Sequence, residues 1–505
     1  MIKSIARHPY LWALGLCLLA EPLIDGTRLQ YKGSWVFGAG TAVLIFLYYF
    51  ADMKKFRQQI NSAMLIGIGF MVKLAYVMNT SIYVRQHDVR NFGGDSGHCG
   101  YIEYLLFNHH LPDFDIRERW QFCHPPLHHA ISALWIHINE NILGVGYDPA
   151  RESLQTLTLF YSMCIMITAY KLLKYFGLKG KALFIPILII NFHPSFILLS
   201  GSINNDVLSV AFIMGAVFSA LNWYRDRKMS SIIKTALCIG LGMMTKVSAA
   251  IVAVPIGLLF MVVFFSHIRT DAKKLIGQFT VFGLICVPLG LWFGVRNYIK
   301  WDMPITYVQK MDKSETQYIG DQQFSDRVTD FSPKQLESIY LQWATENDDG
   351  SIQGYNEYNP IIAATKTSVF GEFVNEQSFE NAPYLSFTAK ILFWDNVLIA
   401  AAALICMISF LFVRSDADSA QKLFLISFRL AMMMSFYKMA HDYPFTCTMN
   451  FRYITPTVII GSIFIGFTLN RLKDFGSKAK YIEHTAEGCV LIFSAASALI
   501  YLSLV

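Results

Sequence analysis

The most informative stretch of this chain reads QHDVRNFGGDSGHCGYIEYLLFNHHLPDFDIRERWQFCHPPL, residues 86–127. It directly follows an apolar segment, and nine Asp and Glu residues lie between Asp88 and Glu152 in a chain that is otherwise mostly apolar. The chain therefore leaves a hydrophobic segment and at once becomes acidic, aromatic and rich in histidine. A segment that only connects helices does not need this chemistry.

The composition indicates a membrane protein. Hydrophobic residues make up 54% of the chain and charged residues only 15%, whereas soluble domains carry roughly 25% charge. A helix crosses the hydrocarbon core with about 20 apolar residues, and runs of this length recur along the sequence. We therefore predict an all-α polytopic membrane protein with about thirteen transmembrane helices. Their expected positions are 9–25, 34–52, 61–80, 153–170, 182–199, 207–223, 231–246, 248–266, 276–295, 389–413, 422–439, 453–470 and 486–504.

Clusters of Lys and Arg predict the orientation of these helices. They begin with Lys3 and recur after every second span, as in 54–57 and 171–181. Because short cytoplasmic loops are enriched in basic residues, we expect a cytoplasmic N-terminus, an extracytoplasmic C-terminus ending at Val505, and insertion in the plasma membrane. The net charge of +6 then reflects loops that face anionic lipid headgroups, and it does not indicate a nucleic-acid partner.

The spans divide the chain into five parts. The segment 299–388 holds fourteen Asp and Glu against six Lys and Arg, and loops of such length usually carry function or a small folded unit. The expected parts are an N-terminal three-helix membrane segment (1–80), a first extracytoplasmic loop with a candidate catalytic Asp (81–152), a transmembrane core (153–298), a large extracytoplasmic loop (299–388) and C-terminal transmembrane helices (389–505).

The first extracytoplasmic loop supplies the first candidate site residues. Asp88 could act as a general base toward a hydroxyl if burial or hydrogen bonding holds it in place, or it could be a solvated loop carboxylate; Asp95 is a competing candidate. Two prolines after His124 set the start of a helix, and Trp120 offers a stacking face. Aromatic faces beside carboxylates are typical of carbohydrate sites, although Trp also belongs to membrane-interface belts.

Histidines and cysteines of this loop leave two questions open. His124 and His128 stand four residues apart on a predicted helix, but spacing alone does not supply the further ligand that a metal site needs. We favour hydrogen-bonding roles for them and expect no metal. Cys99 and Cys123 could form a disulfide on the oxidising side, and the favoured interpretation is that they are small buried residues.

Polar residues also interrupt apolar runs at three later points. Asn205 and Asp206 join two spans, Lys246 breaks a long apolar run, and Arg452 and Tyr453 begin a late span. A Lys or Arg at membrane depth costs about 3 kcal/mol on insertion scales, so such residues are functional candidates. Lys246 and Arg452 have the charge to hold a phosphate. The alternatives are snorkelling of Lys246 to the interface and a plain helix-end cation at Arg452.

The topology, the acidic first loop and His124-Pro125-Pro126-Leu127 resemble the GT-C superfamily of membrane glycosyltransferases. The resemblance is to the protein O-mannosyltransferase branch and, more distantly, to the lipid A aminoarabinose transferase. Thr245-Lys246 and Arg452-Tyr453 resemble motifs of these families. Where the family has Asp-Glu this chain has Asp88-Val89, and His128-His129 replaces the Gly-Lys after the Pro-Pro motif. These departures bear on the acceptor more than on the reaction type.

The resemblance implies an inverting transfer of a sugar from a polyprenyl-phosphate donor to an acceptor hydroxyl. Asp88 would take the proton, while Lys246 and Arg452 would stabilise the leaving phosphate with help from His124 and Asn205-Asp206. The donor serves as co-substrate and no further cofactor is expected. The acceptor could be a protein, a glycan or a glycolipid.

Two other functions remain open from the residues themselves. A transporter or flippase of a lipid-linked or anionic substrate would also need many spans and buried cations, but transporters often show inverted repeats with polar residues at the midplane. No repeat is found in this sequence. A non-catalytic scaffold has no need for polar groups from five separate loops on one face.

Overall fold

The computed structural model describes residues 7–24, 32–51, 53–346, 352–412, 417–472 and 477–504. Lys3 and Val505, which entered the orientation prediction, lie outside these ranges. The helices are α1 (Pro9–Ile24), α2 (Lys32–Tyr49), α3 (Met53–Asn79), α4 (Gly97–Asn108), α5 (Leu127–His137), α6 (Tyr147–Glu152), α7 (Leu154–Tyr175), α8 (Lys181–Phe192), α9 (Pro194–Gly201), α10 (Asp206–Asp226), α11 (Met229–Thr245), α12 (Ala253–Ser266), α13 (Ala272–Trp301), α14 (Phe324–Thr329), α15 (Pro333–Leu336), α16 (Pro360–Phe370), α17 (Pro383–Phe412), α18 (Ser419–Asp442), α19 (Pro456–Leu472) and α20 (Ser477–Ser503).

The predicted helical class is confirmed. Within the described residues the exception is one antiparallel pair of two-residue strands, β1 (Thr345–Glu346) and β2 (Ile352–Gln353). Eight described helices are long and apolar enough to cross a membrane, or ten if each of two bent helix pairs forms one span. The predicted number of thirteen is therefore not confirmed. The difference includes α1 and α11, which are apolar but shorter than a full span.

Two of the apolar helices are broken by proline. α8 and α9 meet at 46°, where His193 is extended with ψ 125° and caps α9 by accepting a hydrogen bond from Ser195 N at 3.3 Å. A residue before proline is driven out of the α region, and Pro194 then starts the next helix. A second bend of 47° separates the short turns of 446–454 from α19, which begins at Pro456. Such breaks free backbone groups that can line a polar site.

The helices differ in how much of their surface the protein covers. In an apolar 18-residue part of the 147–175 stretch, which contains α7, 72% of the residues are buried by the protein. In the corresponding parts of α13 and α17 the buried shares are 17% and 22%. α7 packs on α10 and α1, and α10 packs on α11. A helix that is apolar on all sides and largely uncovered by protein fits a position facing lipid. The well-covered helices α7 and α10 pack on each other in the interior of the bundle.

The long segments between spans contain short helices of their own. The 81–152 segment holds α4, α5 and α6, and α5 ends in a π-helical turn at Ile138–Ile142. The 299–388 segment holds α14, α15 and α16, and α17 already begins at Pro383 inside it. α16 packs on α9 and on the 3₁₀ turn Phe451–Ile454. This segment is thus folded against the membrane helices instead of standing apart from them.

Candidate active site

Four charged side chains from distant parts of the chain meet in one place; we call Asp88, Asp206, Lys246 and Arg452 the charged cluster. Arg452 Nη2 lies 3.3 Å from Asp88 Oδ2, and Arg452 Nη1 lies 3.5 Å from Asp206 Oδ2. Lys246 Nζ donates to Asp206 Oδ1. Asp206 is 5% exposed and Arg452 11%, whereas Asp88 remains 32% exposed. Asp88 is therefore the member that a solvent-borne group can reach most easily.

The loop that carries Asp88 has an unusual backbone. Arg85, Asp88 and Arg90 have φ of 55°, 60° and 57°, in the left-handed region that non-glycine residues rarely adopt. The start of α4 holds the loop, because the Asp88 carbonyl accepts from His98 N at 3.0 Å and Val89 O accepts from Cys99 N at 3.0 Å. Strained backbone of this kind often marks functional sites. The backbone conformation of this loop therefore directs the Asp88 carboxylate toward Arg452.

Asp206 and Lys246 occupy neighbouring helix ends. Asp206 is the first residue of α10, where the positive end of the helix dipole favours a carboxylate. Lys246 follows α11 in an extended conformation with φ −155° and ψ 123°. Asn205 Nδ2 donates to Thr245 O at 3.0 Å, so its side chain ties the two helix ends together. The Asn205 amide thus fixes the positions of Asp206 and Lys246 relative to each other.

Arg452 is presented by a short turn. Asn450 Oδ1 accepts from Arg452 N at 2.8 Å and caps the 3₁₀ turn Phe451–Ile454. Arg452 Nη2 also donates to the Tyr453 hydroxyl at 2.9 Å, and Lys246 Nζ lies 4.9 Å from the centre of the Tyr453 ring. An aromatic ring face attracts cations, so Tyr453 holds both cations close together. The sequence prediction for Tyr453 therefore corresponds to a residue in direct contact with the cluster.

Glu372 adjoins this cluster, and the sequence analysis did not single it out. Its Oε2 lies 3.2 Å from His87 Nδ1, and its Oε1 accepts from Asn450 Nδ2 at 2.6 Å. Burial alone would raise the pKa of Glu372, but His87 and Arg452 lower it overall, so this carboxylate is ionised at neutral pH. It links the Asp88 loop, the segment after α16 and the Arg452 turn. Nothing in the sequence distinguishes Glu372 from the other acidic residues of its segment.

Four histidines form a second group beside the first; we call His98, His124, His128 and His129 the histidine cluster. His98 Nδ1 and His129 Nε2 are hydrogen-bonded at 2.9 Å, and the His98 and His124 rings stack with centroids 5.5 Å apart. His128 Nε2 donates to Ile203 O at 2.8 Å. Although His124 and His128 are four residues apart, His124 stacks on His98 whereas His128 bonds to the Ile203 carbonyl. Within the described residues, no group of three or more His, Cys, Asp or Glu side chains is placed to hold a metal ion.

Burial keeps the histidine cluster neutral. Desolvation lowers the pKa of His124 to about 4, with Lys246 adding to the effect. Desolvation likewise lowers the pKa of His128 to about 4. The pKa values of His98 and His129 are lowered further, mainly by burial and then by a neighbouring histidine, which is His129 for His98 and His128 for His129. A neutral His124 beside the charged cluster can donate or accept a hydrogen bond without adding charge.

The remaining predicted residues lie elsewhere. Asp95 is exposed in the turn before α4, and the structure does not bring it into the charged cluster. Trp120 is half-buried, and its carbonyl accepts from Gly97 N at 2.9 Å, which fixes the start of α4. Cys99 and Cys123 are both free thiols. The pKa of Cys99 is raised by burial, as befits the small buried residue favoured from the sequence.

The geometry defines what this site can do chemically. Two cations lie side by side over one aromatic ring, which suits a doubly charged oxyanion such as a phosphate. A partly exposed carboxylate, Asp88, contacts one of these cations, Arg452, where it can accept a proton from a hydroxyl. The site therefore combines an anion-binding group with a candidate base.

Comparison with known proteins gives a family for part of the chain. Residues 124–292 match the family model for dolichyl-phosphate-mannose-protein mannosyltransferase. The match begins at His124 and includes Asp206 and Lys246, whereas Asp88 and Arg452 lie outside it. No curated protein matches the sequence.

Solved structures give weaker likenesses. The Archaeoglobus fulgidus oligosaccharyltransferase in complex with zinc and sulfate superposes with TM-score 0.48 and 13% identity over 86% of this chain and 53% of that one. The structure of the same enzyme tethered to an acceptor peptide by a disulfide bond superposes with TM-score 0.49 and 12% identity, over 90% of this chain and 55% of that one. ArnT from Cupriavidus metallidurans in the apo state superposes with TM-score 0.37 and 12% identity, over 88% of this chain and 77% of that one. The chain spans about half the length of the oligosaccharyltransferase.

Likenesses of this size do not decide an activity, and the family match covers residues 124–292, about a third of the 505-residue chain. It confirms the resemblance that the Pro-Pro motif and Thr245-Lys246 indicated. Through residues 124–292, this multi-pass membrane protein is similar to the family of dolichyl-phosphate-mannose-protein mannosyltransferases.

Proposed function

We propose that the protein transfers a sugar from a polyprenyl-phosphate donor to an acceptor hydroxyl, with inversion, at the extracytoplasmic face of the plasma membrane. The observation that carries the proposal is the charged cluster, in which two cations, their shared partner Asp206 and the reachable carboxylate of Asp88 converge from four separate segments. The acidic segments and the distribution of Lys and Arg support the choice of face. Nucleotide sugars are made in the cytosol, so an enzyme at the outer face needs a donor that the lipid delivers.

In the proposed reaction Asp88 removes the proton of the acceptor hydroxyl as its oxygen attacks the anomeric carbon. The bond from that carbon to the phosphate oxygen breaks, and its electron pair leaves on polyprenyl phosphate. Lys246 and Arg452 stabilise the charge that builds on this leaving group, an effect for which one lost contact typically costs about 3 kcal/mol. Asp206 holds both cations in place, while His124 and Asn205 border the site. Because the chain supplies its own cations, we propose that no metal is required, and turnover in a chelator tests this.

Arg452 connects binding to chemistry in this scheme. Its guanidinium contacts both Asp88 and Asp206. A phosphate that binds Arg452 competes with Asp88 for the guanidinium. Asp88 is then left to accept the acceptor proton, so arrival of the donor activates the base.

The test uses purified protein in detergent, a panel of polyprenyl-phosphate sugars and a membrane extract that supplies protein, glycan and glycolipid acceptor hydroxyls, with release of free polyprenyl phosphate as the readout. We expect release from at least one donor, and we expect the Asp88→Asn variant to lower it by about 10²–10⁴-fold while unfolding at the same temperature. Folded wild-type protein that releases polyprenyl phosphate from no donor contradicts the proposal. Movement of an intact labelled lipid across proteoliposomes would instead support the transporter alternative.

A further inference from the structure

Glu372 contacts both halves of the site that the proposed reaction uses. Asp88, the candidate base, and Arg452, the candidate phosphate ligand, are 364 positions apart in the chain, and their side chains meet at 3.3 Å. Because the local sequence cannot fix a distance of this kind, contacts elsewhere in the fold have to fix it. The Glu372 side chain is 6% exposed, and its two carboxylate oxygens contact a neighbour of each residue.

On one side Glu372 holds the loop of the candidate base. Glu372 Oε2 lies 3.2 Å from Nδ1 of His87, the residue directly before Asp88. Asp88 has φ of 60°, a conformation that costs roughly 1–2 kcal/mol relative to ordinary backbone, so the loop needs contacts that keep it there. The His87 ring also packs against Phe373, with centroids 5.0 Å apart. The backbone that carries the Asp88 side chain is therefore held through the contacts of His87.

On the other side Glu372 holds the turn of the candidate phosphate ligand. Its Oε1 accepts a hydrogen bond from Asn450 Nδ2 at 2.6 Å. The oxygen of the same amide, Asn450 Oδ1, accepts from Arg452 N at 2.8 Å and caps the 3₁₀ turn Phe451–Ile454. Because one amide group bonds to both partners, the position of Glu372 determines the orientation of Asn450 and with it the start of this turn.

The segment that carries Glu372 is fixed by contacts of its own. Gly371 ends α16 with φ of 61°, and its N–H donates to Thr367 O at 3.0 Å. Thr367 Oγ1 in turn accepts from Phe451 N at 2.9 Å, which attaches α16 to the 3₁₀ turn. Trp343 Nε1 donates to the Glu372 carbonyl at 3.4 Å. A variant that loses only the Glu372 carboxylate therefore keeps the attachment of this segment.

We propose, resting on the proposed function, that Glu372 is a positioning residue that sets the distance between the base and the phosphate ligand. It acts on Asp88 through His87. It acts on Arg452 through Asn450, and neither path requires contact with the reacting atoms. A misplacement of about 1 Å can lower a rate about a hundredfold, so a carboxylate that fixes both groups raises turnover while no bond or proton changes at the carboxylate itself.

Two variants separate the two paths. His87→Ala breaks the path to Asp88 and should lower kcat about ten- to a hundredfold, with little change in the affinity for bare polyprenyl phosphate. Asn450→Ala breaks the path to Arg452 and should weaken that affinity about tenfold, as expected for one lost hydrogen bond. Glu372→Ala should show both losses. In purified protein in detergent, release of polyprenyl phosphate measures kcat, and the rise of the unfolding midpoint with added polyprenyl phosphate measures affinity.

A conservative variant distinguishes positioning from charge. The amide of Glu372→Gln has the same reach and can accept from Asn450 while its nitrogen bonds to His87. Glu372→Gln should therefore retain more turnover than Glu372→Ala. Glu380→Ala, at an exposed carboxylate of the same segment, is the matched control and should behave as wild type.

The outcomes distinguish this inference from the proposed function. If wild-type protein neither binds polyprenyl phosphate nor releases it from any donor, the proposed function fails and the inference fails with it. If the wild type is active and folded Glu372→Ala keeps both its kcat and its affinity, the positioning role is overturned while the proposed function stands. Equal loss of turnover in Glu372→Gln and Glu372→Ala also overturns it, because the negative charge itself would then act.

Discussion

The charged cluster and the histidine cluster lie side by side, and both are taken out of water, but burial has opposite consequences in the two. In the first, each buried charge has a partner of opposite sign, and the ions persist. In the second, the partners are other histidines and backbone carbonyls, and the side chains give up their charge. Burying an ion is costly unless it is paired. Placement of the counter-charges therefore decides which cluster can bind an anion and which can only form hydrogen bonds.

The largest expected effect comes from removing the candidate base. Asp88→Asn should lower turnover by about 10²–10⁴-fold, the range of general-base catalysis, because the amide cannot take the acceptor proton. Asn tolerates the left-handed backbone of this position, so the thermal unfolding midpoint should stay near that of the wild type. Release of polyprenyl phosphate measures the change. Asp148→Asn, at an exposed carboxylate in the same segment, should remain fully active; an equal loss in both variants would refute a specific role for Asp88.

The next effect separates catalysis from stability inside the charged cluster. Lys246→Met should lower turnover about a hundredfold through weaker stabilisation of the leaving phosphate. It should also destabilise the fold by a few kcal/mol, because Asp206 stays buried with less compensation. The double variant Asp206→Asn/Lys246→Met removes both charges and should recover stability without recovering turnover. Recovery of turnover in the double variant would show that Lys246 only balances Asp206.

A smaller effect is expected in the histidine cluster, and on stability alone. His129→Phe leaves His98 Nδ1 unpaired and should cost about 1–3 kcal/mol in free energy of unfolding. Turnover per folded molecule should not change. The paired variant His98→Phe/His129→Phe removes both polar partners and should regain most of the loss, measured by denaturant unfolding in detergent. Loss of turnover in folded His129→Phe would contradict the contrast between the clusters.

The smallest effect, counted per pH unit, is a dependence of stability on pH with a fixed sign. Burial lowers the pKa of His124 and His128 to about 4, so between pH 6.5 and about 4 the unfolded chain binds protons that the folded protein does not. Stability is then complete above pH 6.5 and falls as the pH drops, by up to about 1.4 kcal/mol per pH unit for each histidine. Unfolding midpoints in matched buffers measure the slope. His128→Asn should flatten it, and an unchanged slope would assign the acid sensitivity to other groups.

The sequence predicted the helices well because an apolar run of sufficient length leaves a membrane chain few alternatives. Pro194 and Pro456 mark the breaks, but the predicted spans 182–199 and 453–470 run through both prolines, because apolar residues continue on either side of each one. The number of complete spans was harder to predict, because helices such as α11 are apolar without being long enough. Length and bending are set by packing, which periodicity does not reveal.

The site was only partly predictable for a different reason. Lys246, Asp206 and Arg452 stand out because charge is rare in apolar surroundings, but their contacts are not local: Asp88 and Arg452 are 364 positions apart. Glu372 lies in an acidic segment, and its position there does not distinguish it from the other carboxylates. Asp95 and Asp88 could not be ranked from their positions, since only the fold of the 85–90 loop directs one toward the cations and leaves the other in solvent.

That loop has a further consequence for how the site comes into being. Three left-handed residues within six positions, Arg85, Asp88 and Arg90, cost roughly 1–2 kcal/mol each relative to ordinary backbone. The loop recovers this through distant contacts, including Gln86, whose side chain donates to Gly201 O at 2.8 Å and accepts from Ile203 N at 3.0 Å. Transplanted onto another helical hairpin without residues 201–203, the same sequence would relax to a different shape. The placement of Asp88 is thus a property of the assembled helices, acquired when the end of α9 meets the first loop.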